Sequence, residues 1–185
     1  MSQNFENLDW VDGSVSVPGI YPELYYIPKS WITSWPQLPS APASAAQEVT
    51  FVGDFSLVLL KVWKKVNCID IKSQPVSEQQ GEVRCKTYLN KIKVVVSLTN
   101  ENATALAKLA ANSDLVWVFQ ERETGKYRVC GSEKFMIVSK ITFDIGGSPT
   151  AEKGTTIEIE ASDVCPFPYY DGEILTSDGD VNPST

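Results

Sequence analysis

Apolar and polar residues alternate along LNKIKVVVSL, Leu89 to Leu98, so that Ile92, Val94, Val96 and Leu98 fall on one face and Lys91, Lys93 and Ser97 on the other. A period of two predicts a strand with one buried and one solvated face. The spacing then changes. In NATALAKLAAN, Asn102 to Asn112, the residues Ala103, Leu106, Leu109 and Ala110 share one helical stripe, with Asn100 or Asn102 as N-cap and Asn112 as stop. One helix of about three turns is predicted. DLVWVFQE (Asp114 to Glu121), a turn at Glu123 to Lys126, YRVCG (Tyr127 to Gly131), SKITFDI (Ser139 to Ile145) and TTIEIEA (Thr155 to Ala161) follow. Each is short and bounded by Gly, Pro or charge, as strands of an antiparallel sheet are.

Upstream, residues 1–19 are polar and small and read as an arm, although SVSVPGI retains the capacity to pair. IYPELYYIP predicts a strand over Glu23 to Ile27, with Pro22 marking an irregular start. In KSWITSWPQLP, Ser30 caps a tight turn that Pro36 ends, leaving Trp31, Ile32 and Trp35 as large apolar groups on a surface segment. PSAPASAAQ, Pro39 to Gln47, reads as an extended linker. Thr50 to Ser73 is β-prone, broken at Gly53, and its run Leu57 to Leu60 predicts the middle of the sheet. Gln74 to Glu82 reads as a polar loop of about nine residues before a strand restarting at Val83. The three prolines after Asp163 make the end a tail, solvated or laid along a neighbour. The organisation expected is an arm and linker at 1–48, a β domain at 49–165 and a tail at 166–185. Its class is mainly β, an antiparallel sandwich or barrel with one flanking α-helix.

Length and composition narrow the function classes. At 185 residues the chain supports one core, and 16 basic against 23 acidic residues give a net charge of −7, which argues against a partner bound by neutralising phosphates. No signal peptide or membrane span is evident, so a soluble protein made in the cytosol is expected. Cys68, Cys85, Cys130 and Cys165 lack CxxC spacing, so neither a zinc ribbon nor a redox motif is supported. They read as free, mostly buried thiols, with a Cys68–Cys85 pair across a hairpin left open.

Histidine is absent, which removes the commonest general base and every Ser-His or Cys-His arrangement. Glu158 and Glu160 alternate with Ile157 and Ile159 as any half-buried strand would, whereas a glycosidase pair needs a cleft and a desolvated carboxyl. Gly146-Gly147-Ser148 lacks both GxGxxG spacing and a following helix, and reads as a turn. KVWKKV, Lys61 to Val66, reads as a strand with solvated lysines rather than a nucleic-acid stripe. No enzyme, cofactor or metal is expected.

Taken together, Tyr25-Tyr26-Ile27-Pro28, the turn Ile-Thr-Ser-Trp-Pro, the helix TALAKLAAN, LVWVFQERETGKYRVCGS, SKITFDIGG, KGTTIEIEAS and the closing Pro166-Phe167-Pro168-Tyr169-Tyr170 resemble structural proteins of tailed phages and prophages of the Bacteroidetes type. The likeness covers Leu89 to Tyr170 and, less fully, Ile20 to Pro39. It implies a tail tube-like fold in a virion protein made in the bacterial host. Copies would join into rings, six-fold in typical long tails, and stack into a conduit that DNA passes without specific binding. The other partners implied are virion proteins; no membrane is involved. Subunit contacts would then fall on Trp31, Trp35, Gln74, Pro75, Glu78, Gln79, Phe167, Tyr169 and Tyr170. Thr142, Asp144, Glu158 and Glu160 would face the lumen, where an acidic or neutral wall avoids holding DNA.

Three readings remain open. The first is a ring-forming tube subunit. The second is another virion component of similar fold, such as a terminator, joining, adaptor or head-associated protein. The third is a soluble β-barrel that binds a ligand among Trp117, Phe119 and Tyr127.

Overall fold

The computed structural model describes residues 5–9, 11–148 and 153–182. In chain order its strands are β1 (Ile20–Pro28), β2 (Ile32–Ser34), β3 (Thr50–Phe51), β4 (Ser56–Leu57), β5 (Lys64–Asn67), β6 (Gln74–Gln80) and β7 (Thr87–Val96). They continue with β8 (Leu115–Glu121), β9 (Tyr127–Cys130), β10 (Ile137–Asp144), β11 (Gly154–Asp163), β12 (Tyr169–Tyr170), β13 (Leu175–Thr176) and β14 (Gly179–Asp180). Two α-helices, α1 (Ala45–Glu48) and α2 (Glu101–Ala110), and two single 3-10 turns complete the fold, which is mainly β.

A six-stranded sheet runs β3-β12-β9-β8-β1-β5 and a four-stranded sheet runs β10-β11-β7-β6. Both are open, and one hydrophobic cluster joins them. It takes Ile92, Val94, Val96, Ile157 and Ile159 from the smaller sheet and Leu24, Trp117 and Phe119 from the larger. β8 is buried from Leu115 to Phe119 on both faces, within the same cluster as Phe55, Trp63, Phe167 and Tyr170. A strand so covered is expected to be continuously apolar, and LVWVF is.

Several expectations carry over. α2 starts at Glu101, capped by Asn100, whose Oδ1 accepts the Ala103 N–H at 3.1 Å. β8 and β9 form a hairpin whose turn uses Gly125 at φ +68°. β1 shifts register against β8 between Ile20 and Leu24, around Pro22. Residues 11–19 are exposed, as an arm would be.

Others are corrected. Gln74 to Glu82 is not a loop: β6 pairs with β7 from Gln74↔Lys93 to Gln80↔Thr87. Its polar composition suits an edge strand, which needs little apolar surface, and cross-strand bonds such as Lys91 Nζ to Glu78 Oε2 at 3.0 Å replace it. The connection is 81–86, and the next strand begins at Thr87 rather than Val83. Gly81 is required there, since its φ is +93° and a Cβ would sit 2.5 Å from the Cys85 carbonyl oxygen. The middle of the sheet is β8 and not Leu57 to Leu60: Leu57 ends the short strand β4 half-buried, and Val58 to Leu60 are exposed, with Leu60 91% accessible at φ +65°.

The tail expectation fails for residues 166–182. β12 lies between β3 and β9, Tyr170 and Ile174 are fully buried, and the Tyr170 hydroxyl accepts from Phe55 N and donates to the Glu173 carbonyl. Flanking prolines limit the strand to two residues but do not keep its aromatic side chains out of the core. Leu109 is exposed while Ala110 is buried, so the inward helical stripe runs through Leu106 and Ala110. The 3-10 turn Lys29–Trp31 has Pro28 and not Ser30 at its N-cap, without a side-chain bond, and ends at Ile32. The expected linker contains α1, capped by the Ser44 hydroxyl. All four cysteines are free thiols, Cys68 and Cys85 included.

Candidate assembly site: the open edges and outer face of the four-stranded sheet

Strand register fixes what the smaller sheet presents to solvent. Glu158 lies opposite Lys93 on β7 and Lys140 on β10, with charged atoms 3.8 and 3.7 Å apart. Glu160 lies opposite Lys91, and Val76 of β6 opposite the other side of Lys91. Thr142 and Asp144 continue the same face of β10, opposite Thr156 and Gly154. The four residues expected at a lumen wall therefore do share one face. That face is a chequerboard, because Lys91, Lys93 and Lys140 are interleaved with Glu78, Glu158, Glu160 and Asp144. Each exposed pair adds little stability. Their joint effect is a surface of nearly balanced charge.

Both margins of this sheet are unpaired. β10 ends the sheet on one side over eight residues, and β6 ends it on the other over seven. Along and beside β10, Met136 (70%), Val138 (54%) and Ile145 (76%) expose apolar side chains, and Phe143 is partly open as well. Edge strands normally carry charge, proline or a cover against pairing with another chain. β6 has such guards in Pro75 and Glu78; β10 has no proline and carries charge only at Lys140 and its terminal Asp144. The sequence contained this signal as the alternation VSKITFDI, but nothing local identified it as an edge.

No family model, curated protein or solved structure matches the chain.

Residues expected at subunit contacts fall in three places. Gln74 and Glu78 line the outer face beside Lys91 and Lys93, while Pro75 faces a cleft between the sheets with Ser77 and Phe119. Gln79 accepts from Lys86 Nζ at 3.1 Å and reaches the Tyr88 hydroxyl at 3.5 Å. Trp31 and Trp35 are half-buried against this chain's own core: Trp35 meets Phe55 edge-on at 5.2 Å, and Lys61 Nζ lies 4.3 Å from the Trp31 ring centre. The third group, Phe167, Tyr169 and Tyr170, belongs to the C-terminal segment.

That segment is held by a polar network absent from the sequence reading. Arg128 makes a paired contact with Glu121 (Nε to Oε2 3.3 Å, Nη2 to Oε1 3.2 Å), donates to the Phe167 carbonyl at 3.3 Å, and stacks on Tyr169 with 3.9 Å to the ring centre. The Tyr169 hydroxyl also joins Arg128 and Glu121, and burial raises its pKa. Phe167 packs edge-on against Phe119 at 5.3 Å. Asn90, fully buried, accepts from the Ser77 hydroxyl at 2.6 Å and the Phe167 N–H at 3.4 Å, and donates to the Cys165 carbonyl at 3.1 Å. Trp117, Phe119 and Tyr127 are core residues, with the Tyr127 hydroxyl on the Val181 carbonyl at 3.4 Å. Among the described residues no three Cys, Asp or Glu side chains gather as a metal-binding group.

Proposed function

We propose that this chain is a structural virion subunit that joins edge to edge with copies of itself into a ring, in the manner of a tail tube protein whose stacked rings conduct DNA. The observation that carries the reading is the pair of open margins on one four-stranded sheet, one of them eight residues long with Val138 exposed on it and Met136 and Ile145 exposed at its ends. Strand direction favours it. Every neighbour pair in β10-β11-β7-β6 is antiparallel, so β10 and β6 run in opposite directions. Copies related by rotation keep their sense. A head-to-tail contact therefore sets β10 antiparallel to β6 of the next copy, extending the ladder without reversing a strand. Pro75 removes one backbone donor, so the new pairing centres on Val76 to Gln80.

In such a ring the face bearing Thr142, Asp144, Glu158 and Glu160 supplies the lumen wall. Its interleaved lysines are already neutralised, which leaves no uncompensated basic stripe to hold phosphates by counterion release. Burial of the C-terminal segment in its own domain favours a second reading, a terminator or adaptor that stops at one ring, since it leaves the N-terminal arm alone to bridge stacked rings.

Negative-stain microscopy with light scattering across a concentration series tests both. Rings, or tubes of rings, are expected, and single rings that never stack select the second reading. The variant Val138→Lys/Ile145→Lys, altered at exposed positions only, is expected to remain folded and monomeric. A monomeric native chain at every concentration, or unimpaired assembly of the variant, refutes the edge-to-edge account.

A further inference from the structure

A cavity of about 250 Å3 opens where β1, β5, β7, β11 and the start of α2 converge, away from the outer face used in assembly. Its apolar lining includes the buried Val96 and Ile157 and the half-buried Leu106, while the half-buried Tyr26 and the exposed Asn67 and Asn102 mark its solvent side. The polar groups sort into two kinds. Some are already committed: the Thr155 hydroxyl donates to the Leu98 carbonyl at 2.6 Å, the Asn100 Oδ1 caps α2, and Lys65 Nζ is held by Glu23 at 3.2 Å. Others are open. The Tyr26 hydroxyl and the side-chain amides of Asn67 and Asn102 make no hydrogen bond to any described residue.

We propose that this cavity binds a small, neutral, flat aromatic molecule carrying one hydrogen-bonding group. Size sets the first term, since an apolar cavity of about 150 Å3 accommodates one benzene ring and about 250 Å3 suits a fused bicycle. Charge sets the second. The one cation of the lining is paired and no anion lines it, so a charged ligand would lose its hydration without gaining a counterpart. Orientation sets the third: the Tyr26 ring rests on Trp117 at 5.1 Å between centres, which fixes the hydroxyl at the solvent side while the apolar body of the ligand meets the apolar lining. Pockets of this make-up, apolar with a few convergent polar groups, are where small ligands bind.

Indole is the probe, titrated into the full-length protein by NMR and calorimetry, with indole-3-acetate as its charged counterpart. Saturable binding with a dissociation constant on the order of 100 µM is expected for about nine non-hydrogen atoms. Leu106→Trp, which fills the cavity, is expected to abolish it. Ala103→Leu, at a half-exposed helical position that tolerates leucine, is expected to weaken it at least tenfold and serves if the larger change disturbs folding. Tyr26→Phe is expected to weaken it three- to tenfold, and the carboxylate of indole-3-acetate to do the same or more. No saturable shift with indole at millimolar concentration, equal binding to Ala103→Leu, or equal binding of the charged analogue overturns the proposal.

Discussion

Asp163, the last residue of β11, is a carboxyl group at 6% exposure, and burial pushes its pKa up from 3.8 to about 6 against the opposing pull of the Val164 N–H and Lys134. Burial and the Asp163 charge together push the neighbouring Cys165 thiol up to about 12 and the Cys130 thiol higher still. A folded-state pKa above the unfolded value means that the native state holds the proton more tightly. The penalty is therefore absent below about pH 4, grows as pH rises towards 6, and is complete above it. Urea unfolding should show stability falling across that window by about 3 kcal/mol from this group. Asp163→Asn keeps the oxygen that accepts the Val164 N–H at 2.7 Å, and should recover that amount at pH 7 but nothing near pH 4. An unchanged pH profile would assign the loss to other groups.

Among the elements, the C-terminal segment departs furthest from what local sequence suggests. Three prolines near the chain's end signal a tail, yet Tyr170, Ile174 and Phe167 fill the core, and Asn90 and Arg128 satisfy the backbone that leads to them. Truncation after Cys165 removes those side chains and leaves Asn90 and Arg128 short of partners. Three large buried groups at about 2–3 kcal/mol each exceed the margin of most domains, so circular dichroism should show loss of cooperative unfolding. A truncated chain that still melted cooperatively would return the segment to the status of a tail. The same contrast explains what the sequence made legible. α2, the β8–β9 hairpin, β7 and β11 announce themselves because their stabilising contacts are periodic or adjacent in sequence. β6 does not, because an edge strand with polar cross-strand partners carries almost no hydrophobic period. The apolar run at Leu57 to Leu60 misleads in the other direction: after Leu57, which pairs with Ile32, it leaves the sheet in an exposed turn, and the bridge of Trp63 to Thr176 holds the chain beyond it. Of the candidate contact residues, the shared face of Thr142, Asp144, Glu158 and Glu160 was readable from alternation, whereas the status of β6 and β10 as margins is a property of strand order.

For the whole molecule, a net charge of −7 opposes any contact between identical copies, while the balanced outer face of the smaller sheet contributes little to that repulsion. Raising ionic strength from about 0.01 to 0.1 M shortens the screening length from about 30 to 10 Å, so self-association measured by sedimentation velocity should strengthen with salt. Weakening with salt would mean that ion pairs, and not apolar strand edges, draw the copies together. The order in which the chain becomes complete follows from the parallel pairing of β3 with β12. Phe55 packs on Tyr170, and Trp63 bridges to Thr176, partners more than a hundred positions later. The segment that carries Tyr170 and Thr176 must therefore be synthesised before Phe55 and Trp63 gain their full cover, so this part of the core closes through contacts of long sequence separation.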